Sequence, residues 1–445
     1  MSKLHFCRKI NIDSLFLLGM LCITFDSFPF YKYGLGSAKP LSIVPLILFL
    51  ILKILSIVKR LKIDKGICIV LTMGILIVLQ SIFCGLFIYN DDTGYSETMN
   101  IFFTFFVSIL SFVLYMNDAD NLKIKRMLKY IFMSFKISLF FGIIEIIYFY
   151  ILDSELLKNF ITLFVRDDVF LDVQYVQFNY GERGNTGVML GILFPVVLFL
   201  LKKIGYSFSR GDKIFIIIIY AVSVLTFSIN YFIIMLTLLI SGIVILDFKN
   251  KNRKLLVLFL MMACFIFISI VLSSESFLIY SSNSNSRILR ILRDTNYIYS
   301  DGSIQTRLGQ AQVCLKGFMK KPFSGYGWGY FIYAMRDNYN EISSTLKSYE
   351  LSIQASLDSL QTYGFLFSVL VEGGTLGILF AISLFSRFKK TEKELWPFII
   401  VFILECLQNV FVYWISMLVI YCLLTDKTIN NIVIKNRDKE EKNDT

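Results

Sequence analysis

The sequence predicts an all-α polytopic integral membrane protein, with about 12 transmembrane helices and both termini cytoplasmic. Three observations carry this. The 445 residues are 56% hydrophobic and 17% charged, whereas soluble domains hold about 25% charged residues. Apolar runs approaching the roughly 20 residues that span a bilayer recur along the whole chain. Lys and Arg gather in alternate connections between those runs, the bias that orients helices in membranes.

In order, the runs lie at 14–30, 41–58, 66–89, 98–116, 127–152, 186–201, 214–229, 231–246, 255–273, 360–386, 395–411 and 412–425. The first leads into Phe28-Pro29-Phe30-Tyr31 with no small-residue cleavage pattern, so it reads as a signal anchor. Basic connections carry Lys59, Arg60, Lys62 and Lys65; then Lys123, Lys125, Arg126 and Lys129; then Lys202, Lys203, Arg210 and Lys213. The pattern continues through Lys249, Lys251, Arg253 and Lys254 to Arg387, Lys389, Lys390 and Lys393, whereas the short connections between hold only Lys32 and Lys39. The chain thus divides into five spans (1–152), a first long outer loop (153–185), four spans (186–273), a large outer loop (274–359), three spans (360–425) and a cytoplasmic tail (426–445).

This placement excludes several functions. The formal charge of +11 is an orientation signal and says nothing for nucleic acid. Eight cysteines include no Cys-x-x-Cys pair, so neither a metal site nor a redox motif is indicated. The sole histidine, His5, sits beside Arg8 and Lys9 and reads as a solvated residue. The inner loops are short and no P-loop is present, so no cytoplasmic catalytic domain is expected. Chemistry is expected at the outer leaflet, where long loops are usually functional.

The first long loop ends in Asn179-Tyr180-Gly181-Glu182-Arg183-Gly184-Asn185-Thr186-Gly187, entering a span. Arg183 there stands at an outward helix N-terminus that already favours anions. It either clamps a phosphate with its planar fork or pairs with Glu182, Asp167 or lipid headgroups. In the second loop, Arg287, Arg290 and Arg293 read as one face of a basic surface helix. From 287 to 321 seven basic residues face Asp294 and Asp301, locally +5. Arg307 heads a helix over Leu308–Met319. That helix runs into Lys321-Pro322-Phe323-Ser324-Gly325-Tyr326-Gly327-Trp328-Gly329-Tyr330-Phe331, where an extended strip would present rings on one face. Tyr326 and Trp328 then suit either sugar faces or a membrane-interface belt. Asp91-Asp92 and Asp167-Asp168 read as solvated turns. Glu372, inside a span beside Gly373, Gly374 and Gly377, reads as structural or supporting.

Helix–Pro-Phe-x-Gly-x-Gly-x-Gly, followed by Val371-Glu372-Gly373-Gly374-Thr375-Leu376-Gly377 in the next span, resembles the O-antigen ligase and polymerase superfamily. Arg183-Gly184-Asn185 and the turn Thr226-Phe227-Ser228-Ile229-Asn230 are similar too, and the resemblance covers roughly residues 170 to 425. It implies a GT-C-like, metal-independent membrane glycosyltransferase without a cofactor, acting on undecaprenyl-diphosphate-linked glycans outside the cytoplasmic (inner) membrane. In ligases of the superfamily a histidine precedes the span matching 360–386. Here Ser359-Leu360-Gln361-Thr362-Tyr363-Gly364 stands in that region, which favours the repeat-unit polymerase (Wzy-type) branch of O-antigen and capsule synthesis. By that resemblance the partners are lipid-linked glycans, membrane lipids, a chain-length regulator and a flippase, with no nucleic acid.

The expected catalytic residues are Arg183 and Arg307, which would stabilise charge developing on the diphosphate, and Asp358 as base for the acceptor hydroxyl. Arg287, Arg290, Tyr326, Trp328 and Tyr363 are the expected substrate-binding residues. Asp358 reads equally as a solvated loop carboxylate. Two alternatives remain: a ligase with another acceptor, or a lipid-linked-glycan flippase whose polar path would use Asp26, Lys53, Lys136, Glu145 and Glu405.

Overall fold

In lipid every backbone polar group must find its partner inside the protein, so apolar runs become helices. The computed structural model describes residues 12–25, 40–57, 64–117, 119–163, 175–180, 185–226, 228–245, 302–357, 360, 362, 364–410, 412 and 414–443. They are helical, with no β-strand among the described residues. Helices α1 (Asp13–Leu21) and α2 (Ile43–Ile57) precede α3 (Lys65–Phe83), which continues as a π-helical turn over Cys84–Tyr89. Next come α4 (Thr93–Met116), α5 (Asn121–Tyr150) and the short α6 (Glu155–Ile161). A π-helical segment, Gly187–Leu193, leads into α7 (Phe194–Lys203), followed by α8 (Arg210–Val224) and α9 (Ile229–Ile245).

Three helices cap one end of the bundle: α10 (Gly302–Lys320), α11 (Phe331–Asn338) and α12 (Tyr349–Ala355). The chain then re-enters through α13 (Phe365–Val371), α14 (Gly374–Phe385), α15 (Trp396–Gln408) and α16 (Ile415–Thr425). The expected tail is helical, as α17 (Lys427–Asn443).

Three segments are long and apolar enough to cross a membrane by themselves: Lys65–Tyr89, Thr93–Met116 and Asn121–Tyr150. The number is up to four if the pair Ile415–Thr425 and Lys427–Lys435, bent by 52°, forms one span. The sequence-based count is larger, and the difference has physical causes. The 360–386 run is broken at Glu372-Gly373-Gly374, where Gly374 takes φ +54°. The 186–201 run starts as a π segment and passes Pro195 at the start of α7. The 255–273 run lies outside the described residues.

The two ends differ in chemistry. Asp13 pairs with Lys53 at 3.0 Å and Lys123 at 2.7 Å, Asp64 with Lys427 at 2.7 Å, and Glu394 with Lys203 at 3.0 Å. Lys136 meets Asp212 at 2.7 Å, inside the Ser209–Asp212 capping box that starts α8. The basic connections flanking α3, α5, α8 and α14 thus gather at one end, opposite the α10–α12 cap. Between the ends, large apolar side chains face outward, such as Ile69 (56% exposed), Ile217 (69%) and Val244 (68%). Polar side chains such as Ser81, Thr98, Ser138 and Glu145 are buried instead, the reverse of a water-soluble protein.

Candidate functional site

The end of the first long loop dips into the bundle. Val176, Gln177, Phe178, Asn179 and Tyr180 are all buried, so their backbone needs partners supplied by the protein. Glu145 on α5 supplies two, accepting the amides of Gln177 at 2.7 Å and Phe178 at 2.9 Å. Ser138 donates to the Asn179 side chain at 2.7 Å, and Asn179 donates to Thr24 at 3.1 Å. Gly142 makes the room, since a Cβ there would lie 2.6 Å from the Phe178 ring. Beyond this buried segment, Asn185 Nδ2 donates to the Tyr180 carbonyl at 2.8 Å. That bond joins the two residues that bracket positions 181–184. Arg183 itself lies outside the described residues.

Where the chain resumes, the π segment meets α9 and α15. Asn230 Nδ2 donates to Glu405 Oε1 at 2.6 Å, and Asn409 Nδ2 donates to the other oxygen. Gly187 allows this approach, because a Cβ would lie 2.6 Å from Asn230 Nδ2. The Asn409 carbonyl accepts the Phe365 amide at 3.1 Å, so the entry to α13 is fixed to the same corner. Among the described residues, Asn230 Oδ1 and Thr186 Oγ1 are buried without a hydrogen-bond partner. Such atoms are rare enough to require an explanation, and here two flank one corner.

Arg307 lies within electrostatic reach of this corner. It is exposed, on the second turn of α10, and its charge acts on the Glu405 carboxyl. The helix beneath it is held rigidly. Thr306 Oγ1 lies 2.7 Å from Ser348 Oγ and donates to the Gly302 carbonyl at 2.6 Å. Gln310 donates to Gln354 at 2.9 Å, and Gly309 lets Leu351 close over it. The corner therefore combines an exposed arginine with a carboxylate whose oxygens are both engaged, next to the Tyr180–Asn185 bond. Chemically it suits an oxyanion-rich group, bound from the cap end.

The glycine–aromatic strip adopts a different form from the expected extended one. Gly325, Gly327 and Gly329 take φ of +61°, +89° and +85°, a region open to glycine and costly for other residues. The strip fills the break between α13 and α14. The amides of Tyr326 and Gly327 donate to the carbonyls of Val371 and Glu372, both at 2.9 Å, while Thr375 donates to the Phe323 carbonyl at 3.2 Å. The Glu372 carboxyl lies near the amides of Gly329 and Phe331 and the Ser368 hydroxyl. On the other side, Ser81 Oγ and Thr98 Oγ1 stand 2.6 and 2.7 Å from the Trp328 carbonyl.

The rings are consumed by this packing. Tyr326 and Trp328 are each 1% exposed, so neither presents the open face expected of a sugar platform. Trp328 packs among Phe102, Phe365 and Phe380, and Tyr326 donates to Asp337 at 3.1 Å. Asp91, read as a solvated turn, fastens the strip as well: its carbonyl accepts Tyr330 at 2.7 Å and its side chain accepts Tyr333 at 3.2 Å.

Of the remaining expected site residues, Asp358, Tyr363, Arg287 and Arg290 lie outside the described residues. The neighbouring Thr362 hydroxyl bonds to Ser368 Oγ, and Gly364 sits against the Leu407 carbonyl. That places Gly364 beside the Glu405 corner. Asn230 and Asn409 are residues that sequence reasoning did not assign to a site, and it placed Glu405 only in the polar path of the transport alternative. An acid inside a span was the available signal for Glu405. No group of three or more His, Cys, Asp or Glu side chains able to hold a metal occurs among the described residues. No protein-family model matches the chain, and no curated protein matches it.

Proposed function

We propose that the chain is a twelve-span glycosyltransferase of the cytoplasmic membrane that polymerises undecaprenyl-diphosphate-linked repeat units outside the cell's permeability barrier. Both termini lie in the cytoplasm, and the α10–α12 cap faces outward. The basic connections gathered at the opposite end support this orientation. The observation that carries the catalytic reading is the corner where Arg307, the Tyr180–Asn185 bracket and the Asn230–Glu405–Asn409 cluster converge.

In the reaction, a hydroxyl of the incoming repeat unit attacks the anomeric carbon of the growing glycan. The carbon–oxygen bond to the diphosphate breaks, and undecaprenyl diphosphate leaves. The acceptor proton passes to a base, for which Asp358 is the candidate. Charge grows on the diphosphate as the bond breaks, so preorganised donors lower the barrier, each by about 3 kcal/mol when compared with an oxyanion-hole donor. Arg183 and Arg307 fill that role. Glu405 acts on Arg307 through its charge, and its oxygens hold Asn230 and Asn409 in place. A chain-length regulator is the expected protein partner.

A transport role is less well supported. Lys53 and Lys136 are paired with Asp13 and Asp212, Glu145 holds backbone amides, and Glu405 holds two asparagines. These are separate, locally satisfied groups rather than one polar path. The test is complementation of a host lacking the gene, scored on glycan ladders. Arg183→Ala and Arg307→Ala should each collapse the ladder to single repeat units at wild-type protein levels. Wild-type ladders in both variants would remove the arginine clamp.

A further inference from the structure

The basic end of the bundle, opposite the arginine corner, has a concave site of its own. A cavity of about 910 Å³ is lined by Lys65, Arg387, Lys390 and Lys427, with Asp64 as the one carboxylate in its lining. Lys427 pairs with Asp64 at 2.7 Å, so the lining keeps a surplus of positive charge. Arg387 is set into its wall. A Cβ on Gly66 would come 2.9 Å from Arg387 Nη1, so glycine leaves the space that the guanidinium occupies. Among the described residues, the buried Arg387 Nε has no hydrogen-bond partner. A buried donor of that kind marks a place where an acceptor is missing.

An apolar groove of about 500 Å³ begins at the same place. Its walls include Leu370, Ile378, Ile382 and Phe385 from α13 and α14, and Lys389 lies at its foot. Ser386 lines both the groove and the basic cavity. One continuous surface therefore offers cations and amide side chains at one end and hydrocarbon along the helix break. A ligand complementary to both parts carries an anionic head and an apolar tail. Basic pockets between helices at the cytoplasmic face suit acidic lipid headgroups for the same reason.

We propose that this surface binds one anionic phospholipid, with its phosphate in the cavity against Arg387 and Lys390 and an acyl chain in the α13–α14 groove. The lipid bridges α14 to α17, which also meets α3 through Lys427 and Asp64 and the connection after α14 through Asn430 and the Glu392 amide. The proposal rests on the membrane-spanning reading and is independent of the glycosyltransferase reading.

The experiment uses the full chain purified in a neutral detergent, with binding read by native mass spectrometry and by thermal shift. The probes are phosphatidylglycerol, phosphatidylcholine with the same acyl chains, and soluble glycerol phosphate. Phosphatidylglycerol should bind saturably and raise the melting temperature, while the other two bind far more weakly. Arg387→Gln with Lys390→Gln should weaken phosphatidylglycerol on the order of twentyfold, at about fivefold per charge. Ile382→Trp, which fills the groove from its exposed wall, should weaken the lipid as well. Should the double variant fail to fold, Lys390→Gln alone, at an exposed position, carries the same prediction at about fivefold. Equal binding of the two lipids, or unchanged binding in the charge variants, would overturn the proposal. Glycerol phosphate binding as tightly as phosphatidylglycerol would overturn it too, by leaving a free-anion site without a tail.

Discussion

The glycine–aromatic strip and the Arg307–Glu405 corner lie at the same end of the bundle, and the sequence points to substrate at the strip and at Arg307 but not at the asparagines around Glu405. They are built on opposite principles. In the strip, the broken carbonyls of α13 are taken up by the amides of Tyr326 and Gly327, and the rings are buried. Two buried acceptors without partners among the described residues, Gln80 Oε1 and Asn338 Oδ1, stand beside it, on side chains whose amide nitrogens bond the strip at Ser324 and Tyr326. In the corner, Arg307 is exposed, and Asn230 Oδ1 and Thr186 Oγ1 are buried without hydrogen-bond partners among the described residues. A motif rich in aromatic rings can be architectural, whereas a pair of amides beside a buried acid is where we propose the chemistry to lie.

This contrast predicts different failures. The largest effect is expected at Gly325, where a Cβ would sit 2.1 Å from the Glu372 carbonyl at φ +61°. Left-handed strain and overpacking together give about 2–5 kcal/mol. Gly325→Ala should therefore abolish monodisperse protein on fluorescence-detected gel filtration, and a well-folded variant would show that the strip is adaptable. In the corner, Arg307→Ala should keep a wild-type elution profile yet lower polymerisation by about 100- to 1000-fold. Arg307→Lys should recover only part of that loss, because a point charge lacks the planar fork. Full recovery by lysine would reduce the role of Arg307 to bulk charge.

A smaller loss is expected from Glu405→Gln, which keeps the shape but removes the charge facing Arg307. The change replaces charge-assisted hydrogen bonds with neutral ones, about 1–1.5 kcal/mol and roughly tenfold in turnover. Turnover equal to wild type would make Glu405 a packing residue. The mildest test is alkaline. Burial, followed by other contacts, raises the Tyr326 and Tyr330 hydroxyls to about 12 from an ordinary 10. Each is held neutral by the fold, so its stabilisation is complete below pH 10 and lost as pH rises from 10 to 12. Tyrosinate absorbance and elution should change together in that window, and Tyr330→Phe should blunt the change. Ionisation of both tyrosines near pH 10 in intact protein would contradict their burial.

The helices were legible because hydrophobic runs and basic connections are long-range averages: 41–58 is α2 at Ile43–Ile57, and 395–411 contains α15 at Trp396–Gln408. The interruptions were not legible. Glu372-Gly373-Gly374 breaks a span only because the strip, some 45 residues earlier, supplies replacement hydrogen bonds, a tertiary condition that no local pattern encodes. The helix after Arg307 was legible, but it begins earlier, at Gly302, so Arg307 lies on its second turn rather than at its head. Asn230 and Glu405 were not paired, since 175 residues separate them and only the close packing at Gly187 joins them. Tyr326 and Trp328 misled for a related reason. Alternating glycines describe an extended strip equally well until their positive φ angles are known.

The central claim is that this corner joins sugars on a lipid diphosphate, and purified components test it most directly. The chain is reconstituted into vesicles with undecaprenyl-diphosphate-linked repeat units and no other protein. The account predicts polymers in a ladder of repeat lengths, with none from Arg307→Ala reconstituted at equal yield. Ladders from Arg307→Ala matching wild type, or repeat units crossing the bilayer with no new glycosidic bond, would contradict it.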